Sequence, residues 1–415
     1  MEALKNIKGT KDILPNETLL WQWLENNIHK FMQSYGYGEI RTPQFENSIL
    51  FNRSIGLNTD IVSKEMYSWV DQGKNNLTLK PEATASVVRA YIQHNLGRQN
   101  RLNKLYYIDS LFRRERPQKG RFRQFEQFGI ESIGSEFPEQ DAEIISMAYF
   151  FYKSLGIKNL TLKINSIGSK DSRKKYKEEL VKYFKPHIDK LTATSKTRLK
   201  DNPLRILDTK VDFEKKLVKD APIIIDYLSS KDKEHFKTVL SYLKELDIDY
   251  QIDNHLVRGL DYYCKTVFEI QSDLLGSQSA LCGGGRYDYL IEDLGGDSTP
   301  AIGFAAGIER LILALNKEKI NIDIPIDVYI ITIGEKSIIH GTKIAHHLRN
   351  KLGLIVVSDM LQKSMKSQMK EANKLNAKFS IIIGDNELQS NKVLIKDMLS
   401  GEQNNVNFDK IIDFF

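Results

Sequence analysis

Cysteine is scarce in this chain of 415 residues, which contains only Cys264 and Cys282. Two isolated thiols exclude a disulfide framework and a cysteine-based zinc site. The chain contains no run of 18 apolar residues, so no segment is predicted to span a membrane. Its first residues, MEALKNIKGTKDILP, lack the apolar core of a signal peptide. These absences predict a cytoplasmic protein without a membrane partner.

The motifs of the common nucleotide-binding folds are also missing. No G-x-x-x-x-G-K-[ST] motif occurs, and no G-x-G-x-x-G motif lies between a strand and a helix, which excludes P-loop enzymes and Rossmann domains with that fingerprint. If the chain binds ATP, it therefore uses another kind of site. Cations exceed acids only slightly, at 60 against 54. A net charge of +6 is mild for this length, so contacts with nucleic acid require local clusters.

The order of patterns along the chain predicts a large domain followed by a small one. Apolar residues at helical spacing open the segment 19–46, and an alternating strand ends near Pro43. The segment at about 170–246 is rich in Lys and Glu, poor in glycine and helical in pattern. A linker is expected at 316–326. Beyond it, three apolar runs separated by helical patterns predict an α/β domain.

The segment FRRERPQKGRFRQFEQFGIE (112–131) is the most informative part of the sequence. Its first half is a polar hairpin loop that contains one acid, Glu115, and six cations, Arg113, Arg114, Arg116, Lys119, Arg121 and Arg123. Guanidinium groups match phosphate oxygens in pairs, so the loop is typical of phosphate contact. Alternation in the strand after it places Gln127 and Glu131 on one face, where they are expected to form a wall for an ammonium or imidazole group. A solvated basic hairpin is the alternative.

Three further segments carry candidate side chains, and each also has a purely structural explanation. LKPEATASVVRAY (79–91) is a helix start with an acidic first turn. LVRGLDYYCKTVFE (256–269) brings an arginine close to two tyrosines in a strand context, where arginine is more often structural than catalytic. GFAAGIERL (303–311) has small residues that admit a close ligand or backbone, followed by Arg310. None of the three is decisive alone.

Together these segments resemble one family. A strand proline after a long helix (Pro43), F-R-x-E at 112–115 and G-x-x-x-G-x-E-R ending at Arg310 look like the three motifs of class II aminoacyl-tRNA synthetases. KPEAT, RERPQKGRFRQFEQ, LVRGLDYY and GGGRYD are similar to segments of the histidyl-tRNA synthetase family. The resemblance runs from residue 8 to about 403. The family usually has glycine where this chain has Ala83 and Tyr289, and neither side chain is expected to do chemistry.

The resemblance implies an α+β fold, an antiparallel sheet flanked by helices. Residues 1–320 would be the catalytic domain, with a largely helical insertion at about 170–246, and 326–415 an α/β anticodon-binding domain. The implied reaction joins L-histidine to ATP as histidyl-adenylate and transfers it to the 3′ end of tRNA(His), releasing AMP and pyrophosphate. ATP would be a substrate, with Mg²⁺ bound to its phosphates rather than in a separate protein metal site. A homodimer is implied as well.

The resemblance also implies a role for individual residues of this chain. Arg113 and Arg258 would be the catalytic cations. Histidine would be bound by Glu82, Ala83, Thr84, Gln127, Glu131, Tyr262 and Tyr263. ATP would be bound by Arg113, Glu115, Arg258 and Arg310. The acceptor end of the tRNA would touch Arg116 and Gln118.

A row of lysines near the C-terminus adds a candidate RNA contact. Lys363, Lys366, Lys370 and Lys374 are spaced by three, four and four residues, which places four ammonium groups on one helical stripe. Leu361, Met365, Met369 and Ala372 would form the apolar side. Since Glu371 is the only acid counted nearby, we expect Lys366, Lys370 and Lys374 to meet RNA phosphates. A solvated lysine face is the alternative.

Two other functions are compatible with parts of the sequence. The synthetase-like regulatory subunit of ATP phosphoribosyltransferase would bind ligands without joining them, but it generally lacks the anticodon module and parts of the tRNA-facing motifs. A general RNA-binding protein would use the basic hairpin but would leave Glu82, Gln127, Glu131 and Tyr263 unexplained. Histidine-dependent exchange of pyrophosphate into ATP separates these alternatives from a ligase.

Overall fold

The structure, a computed structural model, describes residues 3–56, 59–118, 120–319, 322 and 326–415. Two compact units divide the chain, Met1–Asn321 and Ile322–Phe415. Lys119 of the basic hairpin lies outside the described residues, as do 320, 321 and 323–325 of the expected linker. No described helix is long and apolar enough to cross a membrane.

The first unit is built on strands that are mostly antiparallel. Its strands are β1 (Gly38–Glu39), β2 (Phe45–Asn47), β3 (Tyr67–Val70), β4 (Asn76–Leu79), β5 (Asn103–Phe112), β6 (Gln124–Ile133), β7 (Leu160–Ser166), β8 (Tyr250–Ile252), β9 (Cys264–Ser272), β10 (Ala280–Arg286) and β11 (Ala301–Gly307). Eight of them form one sheet in the order β1-β5-β6-β11-β10-β9-β7-β8, and β2-β4-β3 form a small sheet. In the large sheet, only the edge pairs β1–β5 and β7–β8 are parallel.

Helices cover one face of the large sheet. The helices of this unit are α1 (Pro15–Ser34), α2 (Ser48–Ile55), α3 (Thr84–Gln93), α4 (Leu96–Gln99), α5 (Pro138–Ser154), α6 (Lys170–Phe184), α7 (Ala193–Asp201), α8 (Asp212–Lys219), α9 (Ser230–Glu245), α10 (Leu290–Asp293) and α11 (Ile308–Lys317). In α1, Leu24, Ile28 and Met32 repeat every four residues and are fully buried. They share a core with Phe128 of β6 and Phe304 of β11. The predicted antiparallel sheet flanked by helices is therefore confirmed.

Two local predictions have different outcomes. The basic loop 113–123 does join two paired strands, since β5 and β6 run in register from Asn103 opposite Ile133 to Phe112 opposite Gln124. The strand expected to end near Pro43 is shorter, because β1 stops at Glu39 and β2 begins only at Phe45. Proline has no N–H to donate to a sheet, and Pro43 lies in that gap.

The second unit is a small α/β fold. Its strands are β12 (Val328–Thr332), β13 (Val356–Ser358), β14 (Phe379–Ile383), β15 (Lys392–Asp397) and β16 (Gln403–Asn407), in the sheet order β13-β12-β14-β15-β16. Its helices are α12 (Glu335–Leu352), α13 (Met365–Lys374), α14 (Asp385–Ser390) and α15 (Ile411–Phe414). The three predicted apolar runs become β12, β13 and β14, which are parallel. β15 and β16, which were not predicted, add an antiparallel edge.

Candidate active site

A cavity of about 920 Å³ lies on the sheet face opposite α1 and α5. Alternation along β6 explains which side chains face the cavity. Phe128 and Ile130 point into the core beneath the helices, whereas Gln127 points the other way and lines the cavity. Nine of the predicted histidine and ATP residues line it: Glu82, Thr84, Arg113, Glu115, Gln127, Arg258, Tyr262, Tyr263 and Arg310. Side chains more than 200 positions apart in sequence are thus brought to one surface.

Glu131 lies beneath the cavity instead of forming its wall. It is 1% exposed and does not line the cavity, although it shares a strand face with Gln127 as predicted. The Thr84 hydroxyl donates to Glu131 Oε1 at 2.7 Å, and the Tyr287 hydroxyl donates to Oε2. Burial raises the pKa of Glu131 to about 8, more than these hydrogen bonds lower it. Ala83, 1% exposed, is also absent from the cavity lining.

The residues at the start of α3 hold the adjoining part of the cavity. Glu82 accepts a hydrogen bond of 2.9 Å from the Ala85 amide, which satisfies one of the free donors of the first helical turn. Its side chain is 3% exposed, and burial raises its pKa. The aromatic rings of Tyr262 and Tyr263 lie 4.7 Å apart, and both tyrosines border the cavity. A buried carboxylate and two phenols thus surround one end of the cavity, which suits a small cationic or imidazole-bearing group.

Tyr287 lies beneath this end of the cavity with Glu131, and its role is not predicted from the sequence. Its ring lies 5.7 Å from that of Tyr262, and its hydroxyl donates to Glu131. Tyr287 is the tyrosine of the motif GGGRYD, which carries a family resemblance but gives this residue no role. The pairing depends on the register between β10 and β6 through β11, which a single sequence does not contain.

Arg258 lies over the centre of the sheet. Its Nη1 is 3.1 Å from Glu269 Oε2 on β9, and its guanidinium carbon is 5.9 Å from the Tyr263 ring centroid. The guanidinium lies directly against Gly283 of β10, where a Cβ would collide with it. Glu269 in turn accepts a 2.5 Å hydrogen bond from Gln271 Nε2. Both β9 residues were missed from the sequence. Glu269 holds one edge of the Arg258 guanidinium, and Gln271 holds Glu269 in place.

Arg113 and Arg121 face each other across Glu115 at the mouth of the cavity. Glu115 Oε2 is 3.1 Å from Arg121 Nη1, and Oε1 is 4.0 Å from Arg113 Nη1. Arg113 Nε donates to the Pro81 carbonyl at 2.8 Å, and its guanidinium lies 5.4 Å from the Phe125 ring centroid. One carboxylate between two guanidinium groups leaves an excess of positive charge that favours a polyphosphate.

The start of α11 supplies two further charged side chains that line the cavity, Glu309 and Arg310. Arg310 Nη1 donates to the Ala280 carbonyl at 3.0 Å, and burial together with the Arg121 charge lowers its pKa. Glu309 accepts the Glu126 amide at 2.9 Å, and burial raises its pKa to about 7. Glu309 lines the cavity and was missed because a single acid at a helix start is common. Its bond to the Glu126 amide ties α11 to the first residues of β6.

The residues expected to touch RNA lie elsewhere. Arg116 and Gln118 are exposed on the 113–123 loop and do not line the cavity. Lys366, Lys370 and Lys374 are exposed on α13 in the second unit.

The lysine stripe is shorter than predicted. Lys363 precedes the first residue of α13, and its ammonium lies 4.0 Å from Asp359 and 3.8 Å from Glu371. Gln362 adopts a φ of +52°, which ends any helical path before Lys363. The apolar side is also different, because Leu361 and Met365 are 73% and 44% exposed whereas Met369 and Ala372 pack into the core. Asp359 is a second nearby acid that the sequence prediction omitted.

The carboxylates that line the cavity do not form a metal-binding cluster. In the described part of the chain, no three His, Cys, Asp or Glu side chains form a cluster that could hold a metal ion. Glu115 and Glu269 are two of the six described acidic residues that line the cavity. Mg²⁺ that is held by one or two carboxylates and by substrate phosphates fits this donor set, and a cage made only of protein ligands does not.

Comparison with known proteins agrees with this geometry. The chain matches the histidyl-tRNA synthetase family over residues 9–311 and the anticodon binding domain over residues 327–415. A histidine–tRNA ligase from Staphylococcus aureus (strain JH9) is 47% identical over 418 residues, covering 99% of this chain and 99% of that protein. The crystal structure of apo S. aureus histidyl-tRNA synthetase is similar over the full length of both chains, with a TM-score of 0.85 and 42% identity.

A more distant structure shares the fold. It is described as an ATP phosphoribosyltransferase regulatory subunit/histidyl-tRNA synthetase from Bacillus halodurans C, and it covers 92% of this chain and 98% of its own. Its TM-score is 0.67 at 21% identity.

Proposed function

The chain belongs to the histidyl-tRNA synthetase family, and from this premise we propose how its cavity performs the ligase reaction. The enzyme activates L-histidine with ATP and transfers the histidyl group to tRNA(His). In the first step a histidine carboxylate oxygen bonds to the α-phosphorus of ATP while the bond to the β-phosphate oxygen breaks, which releases pyrophosphate. In the second step a ribose hydroxyl at the tRNA 3′ end attacks the adenylate carbonyl carbon, and AMP leaves.

We assign histidine to the end of the cavity formed by α3, β6 and the two tyrosines. Glu82 and Gln127 would accept hydrogen bonds from the α-ammonium, since both line the cavity and carry acceptor oxygens. The imidazole would meet Tyr263 and the Thr84–Glu131 pair. Glu131 lies below the surface and has a raised pKa, so it can take up or give a proton as the imidazole binds.

We assign ATP to the arginine-rich part of the cavity. Attack by a carboxylate on a phosphate brings anion against anion, so fixed cations at the α-phosphoryl oxygens lower the barrier. Arg113 and Arg258 would serve there, because each is already fixed by a neighbouring acceptor, the Pro81 carbonyl and Glu269. Arg310, held on the Ala280 carbonyl, would contact the adenine and outer phosphates. Glu115 would orient Arg113 beside the nucleotide.

Mg²⁺ would be bound mainly by the ATP phosphates, and Glu115 or Glu269, which line the arginine-rich part of the cavity, would supply a carboxylate ligand. The ion supplies positive charge that stabilises the departing pyrophosphate. The protein side chains have a separate task, which is to hold the two substrates in line and to exclude water from the α-phosphorus.

We propose that the two units divide the work on tRNA in the cytoplasm, where tRNA is charged. Residues 1–320 would form the catalytic domain and would touch the acceptor end through Arg116 and Gln118, both exposed beside the cavity mouth residue Arg121. Residues 326–415 would bind the anticodon region. The exposed Lys366, Lys370 and Lys374 have no acid between them except Glu371, which lies near Lys363.

We further propose a homodimer that covers an apolar patch formed by the small sheet and the start of α2. Phe45, Ile49, Trp69 and Val70 are 52%, 50%, 41% and 62% exposed, and the Phe45 and Trp69 rings lie 6.0 Å apart. Clustered exposed apolar side chains are typical of protein interfaces. Light scattering should give twice the chain mass for the native protein, and Trp69→Lys with Val70→Lys should shift it toward the monomer. An unchanged mass would place the interface elsewhere.

The convergence of Arg113, Arg258 and Arg310 on a cavity that also holds Glu82 and Gln127 carries the proposed assignment. The test is exchange of labelled pyrophosphate into ATP by purified protein. Exchange should require histidine and should not occur with the other amino acids. Absence of exchange together with normal histidine binding would instead support a ligand-binding protein of the regulatory-subunit type.

A further inference from the structure

The loop 253–263 carries three of the assigned substrate-binding side chains without any helix or strand of its own. It joins β8 to β9 and contains Arg258, Tyr262 and Tyr263. Groups that must be placed within a fraction of an ångström need support from their surroundings. One such contact comes from the sheet, where Asn165 Nδ2 donates to the Leu256 carbonyl at 3.1 Å. Asn202 Nδ2 donates to Asp261 Oδ1 at 2.9 Å, and the Asp261 amide donates to the Ile55 carbonyl at 3.3 Å.

Two arginines of the helical segment 170–246 hold the backbone carbonyls that follow Arg258. Arg205 Nη2 donates to the Gly259 carbonyl at 2.7 Å, and its Nε lies 3.4 Å from Asp261 Oδ1. Arg173 Nη1, on α6, donates to the Asp261 carbonyl at 3.3 Å and also to the Tyr263 carbonyl. The two guanidinium groups thus hold three backbone carbonyls of the loop from the side away from the catalytic cavity, which neither arginine lines.

We propose that Arg173 and Arg205 are positioning residues for histidine activation, and this inference rests on the roles proposed above for Arg258 and Tyr263. Arg205 fixes the carbonyl of Gly259, the residue that directly follows Arg258, so it governs where the Arg258 guanidinium meets the α-phosphate. Arg173 fixes the carbonyls on both sides of Tyr262, so it governs the two tyrosines. The helical segment thereby orders the substrate loop from outside the cavity.

The two contacts predict different kinetic defects. A catalytic group displaced by about 1 Å can cost up to about 100-fold in rate. Arg205→Ala should therefore lower the kcat of histidine-dependent pyrophosphate exchange by between about 10- and 100-fold, with little change in the KM for histidine. Arg173→Ala should mainly raise the KM for histidine, by about tenfold, the loss expected for one charge-assisted hydrogen bond.

The experiment compares these variants with Lys174→Ala, a matched control. Lys174 neighbours Arg173 on α6 and is exposed. Arg258→Ala and Tyr263→Phe provide the reference defects in kcat and in histidine KM. Added guanidinium chloride at a few millimolar, with ionic strength held constant by NaCl, should restore part of the lost rate in Arg205→Ala and none in Arg258→Lys. Arg205→Lys covers the case in which the alanine variant does not fold.

The outcomes distinguish the positioning role of Arg173 and Arg205 from the substrate-binding role proposed for Arg258 and Tyr263. Split defects with guanidinium rescue support positioning by both arginines. Normal exchange in folded Arg205→Ala or Arg205→Lys, with Arg258→Ala impaired, overturns the positioning role alone. Normal exchange in Arg258→Ala overturns the role proposed for Arg258 and the inference with it. Losses that follow only the fraction of unfolded protein, without rescue, show that the arginines merely stabilise the fold and also overturn it.

Discussion

Arg258 and Glu131 are both buried, but Arg258 stays charged whereas burial favours the neutral form of Glu131. Arg258 is held by Glu269 and by the ring of Tyr263, so its charge is retained although burial opposes it. Glu131 lacks a cationic partner among its hydrogen bonds, which come from two hydroxyls, and burial therefore raises its pKa. A fixed cation and a carboxyl that is neutral near pH 7 are suited to different tasks, charge stabilisation and proton-dependent recognition.

Substitution of Arg258 tests the first task. Arg258→Ala should lower the rate of histidyl-adenylate formation by about 10²- to 10³-fold, the effect of one preorganised group at a developing oxyanion. Pyrophosphate exchange at saturating substrates measures it. The fold should persist, since Arg258 lines the cavity, and a thermal unfolding curve checks this. Near-normal exchange would remove Arg258 from the mechanism.

Glu131 makes the stability of the ligand-free enzyme depend on pH. Its pKa is about 8 in the folded state and near 4.5 in the unfolded chain, so the folded state binds more proton between these values. Stability must therefore fall as pH rises from about 4.5 to 8, and it should level off above. Glu131→Gln cannot ionise, and its unfolding free energy should lack this part of the decline.

Urea unfolding of both proteins at pH 5, 6, 7 and 8 measures the difference. The gap in unfolding free energy between Glu131→Gln and the unsubstituted protein should widen with pH in favour of the amide. A gap that is constant with pH would mean that Glu131 ionises normally in the folded protein. The same variant should raise the KM for histidine more than that for ATP, because the amide cannot accept or release a proton with the imidazole.

Glycines in the central strands make room for the site. On β10, a Cβ at Gly283 would overlap the Arg258 guanidinium, and on β11 a Cβ at Gly303 would overlap both the Glu131 carboxylate and the Ile130 carbonyl. The two collisions differ in kind. A guanidinium at the end of a long side chain can move aside, whereas a strand carbonyl cannot. Gly283 of GGGRYD and Gly303 of GFAAG thus leave room for Arg258 and Glu131, two side chains proposed to act on the substrates.

Gly283→Ala should therefore fold and lose activity. The added methyl group displaces the Arg258 guanidinium, so exchange should fall by about 10- to 100-fold, as for other small misplacements of catalytic groups. Gly38→Ala is the control, since a Cβ there meets nothing within 4 Å. The double variant Gly283→Ala with Arg258→Ala should be no slower than Arg258→Ala alone. Additive losses would mean that the methyl group acts through some other contact.

Spacing along single elements could be read from the sequence, and contacts between elements could not. Alternation in β6 correctly placed Gln127 and Glu131 on one face, and α1 was predicted from Leu24 and Ile28. That Glu131 is covered by Tyr287 depends on β6, β11 and β10 being neighbours. Lysine spacing predicted that the helix of the lysine stripe includes Lys363, but α13 begins only at Met365. Gln362 has a positive φ, and the spacing of side chains carries no information about that backbone conformation.

A buried ion network joins distant parts of the first unit and was not predicted. The Arg286 guanidinium is fully buried and binds Asp141 at 2.6 Å and Asp288 at 3.1 Å, and His235 lies 2.8 Å from the same Asp141. Asp141 lies on α5, His235 on α9, Arg286 at the end of β10 and Asp288 two residues beyond it. Since an unpaired buried charge is very costly, the network helps to fix the strand that leads into Tyr287.

The two units are proposed to have separate tasks, adenylate formation in the first and tRNA binding in the second, and the lysines of α13 test this. Changing Lys366, Lys370 and Lys374 to Gln should weaken tRNA binding, and each lost phosphate contact should reduce the slope of log K against log salt by about 0.7–0.9. The helix should persist, because Gln and Lys have similar helix propensities. Lys363→Gln is the matched control, since that ammonium lies near Asp359 and Glu371.

The triple variant should separate the two steps of the reaction. Aminoacylation should fall at low tRNA, while histidine-dependent pyrophosphate exchange stays normal, since every residue assigned to adenylate formation lies within 82–310. An unchanged salt slope with normal aminoacylation would make the lysines a solvated face. Loss of exchange together with aminoacylation would contradict the division itself, because the second unit would then be needed for a step that involves no tRNA.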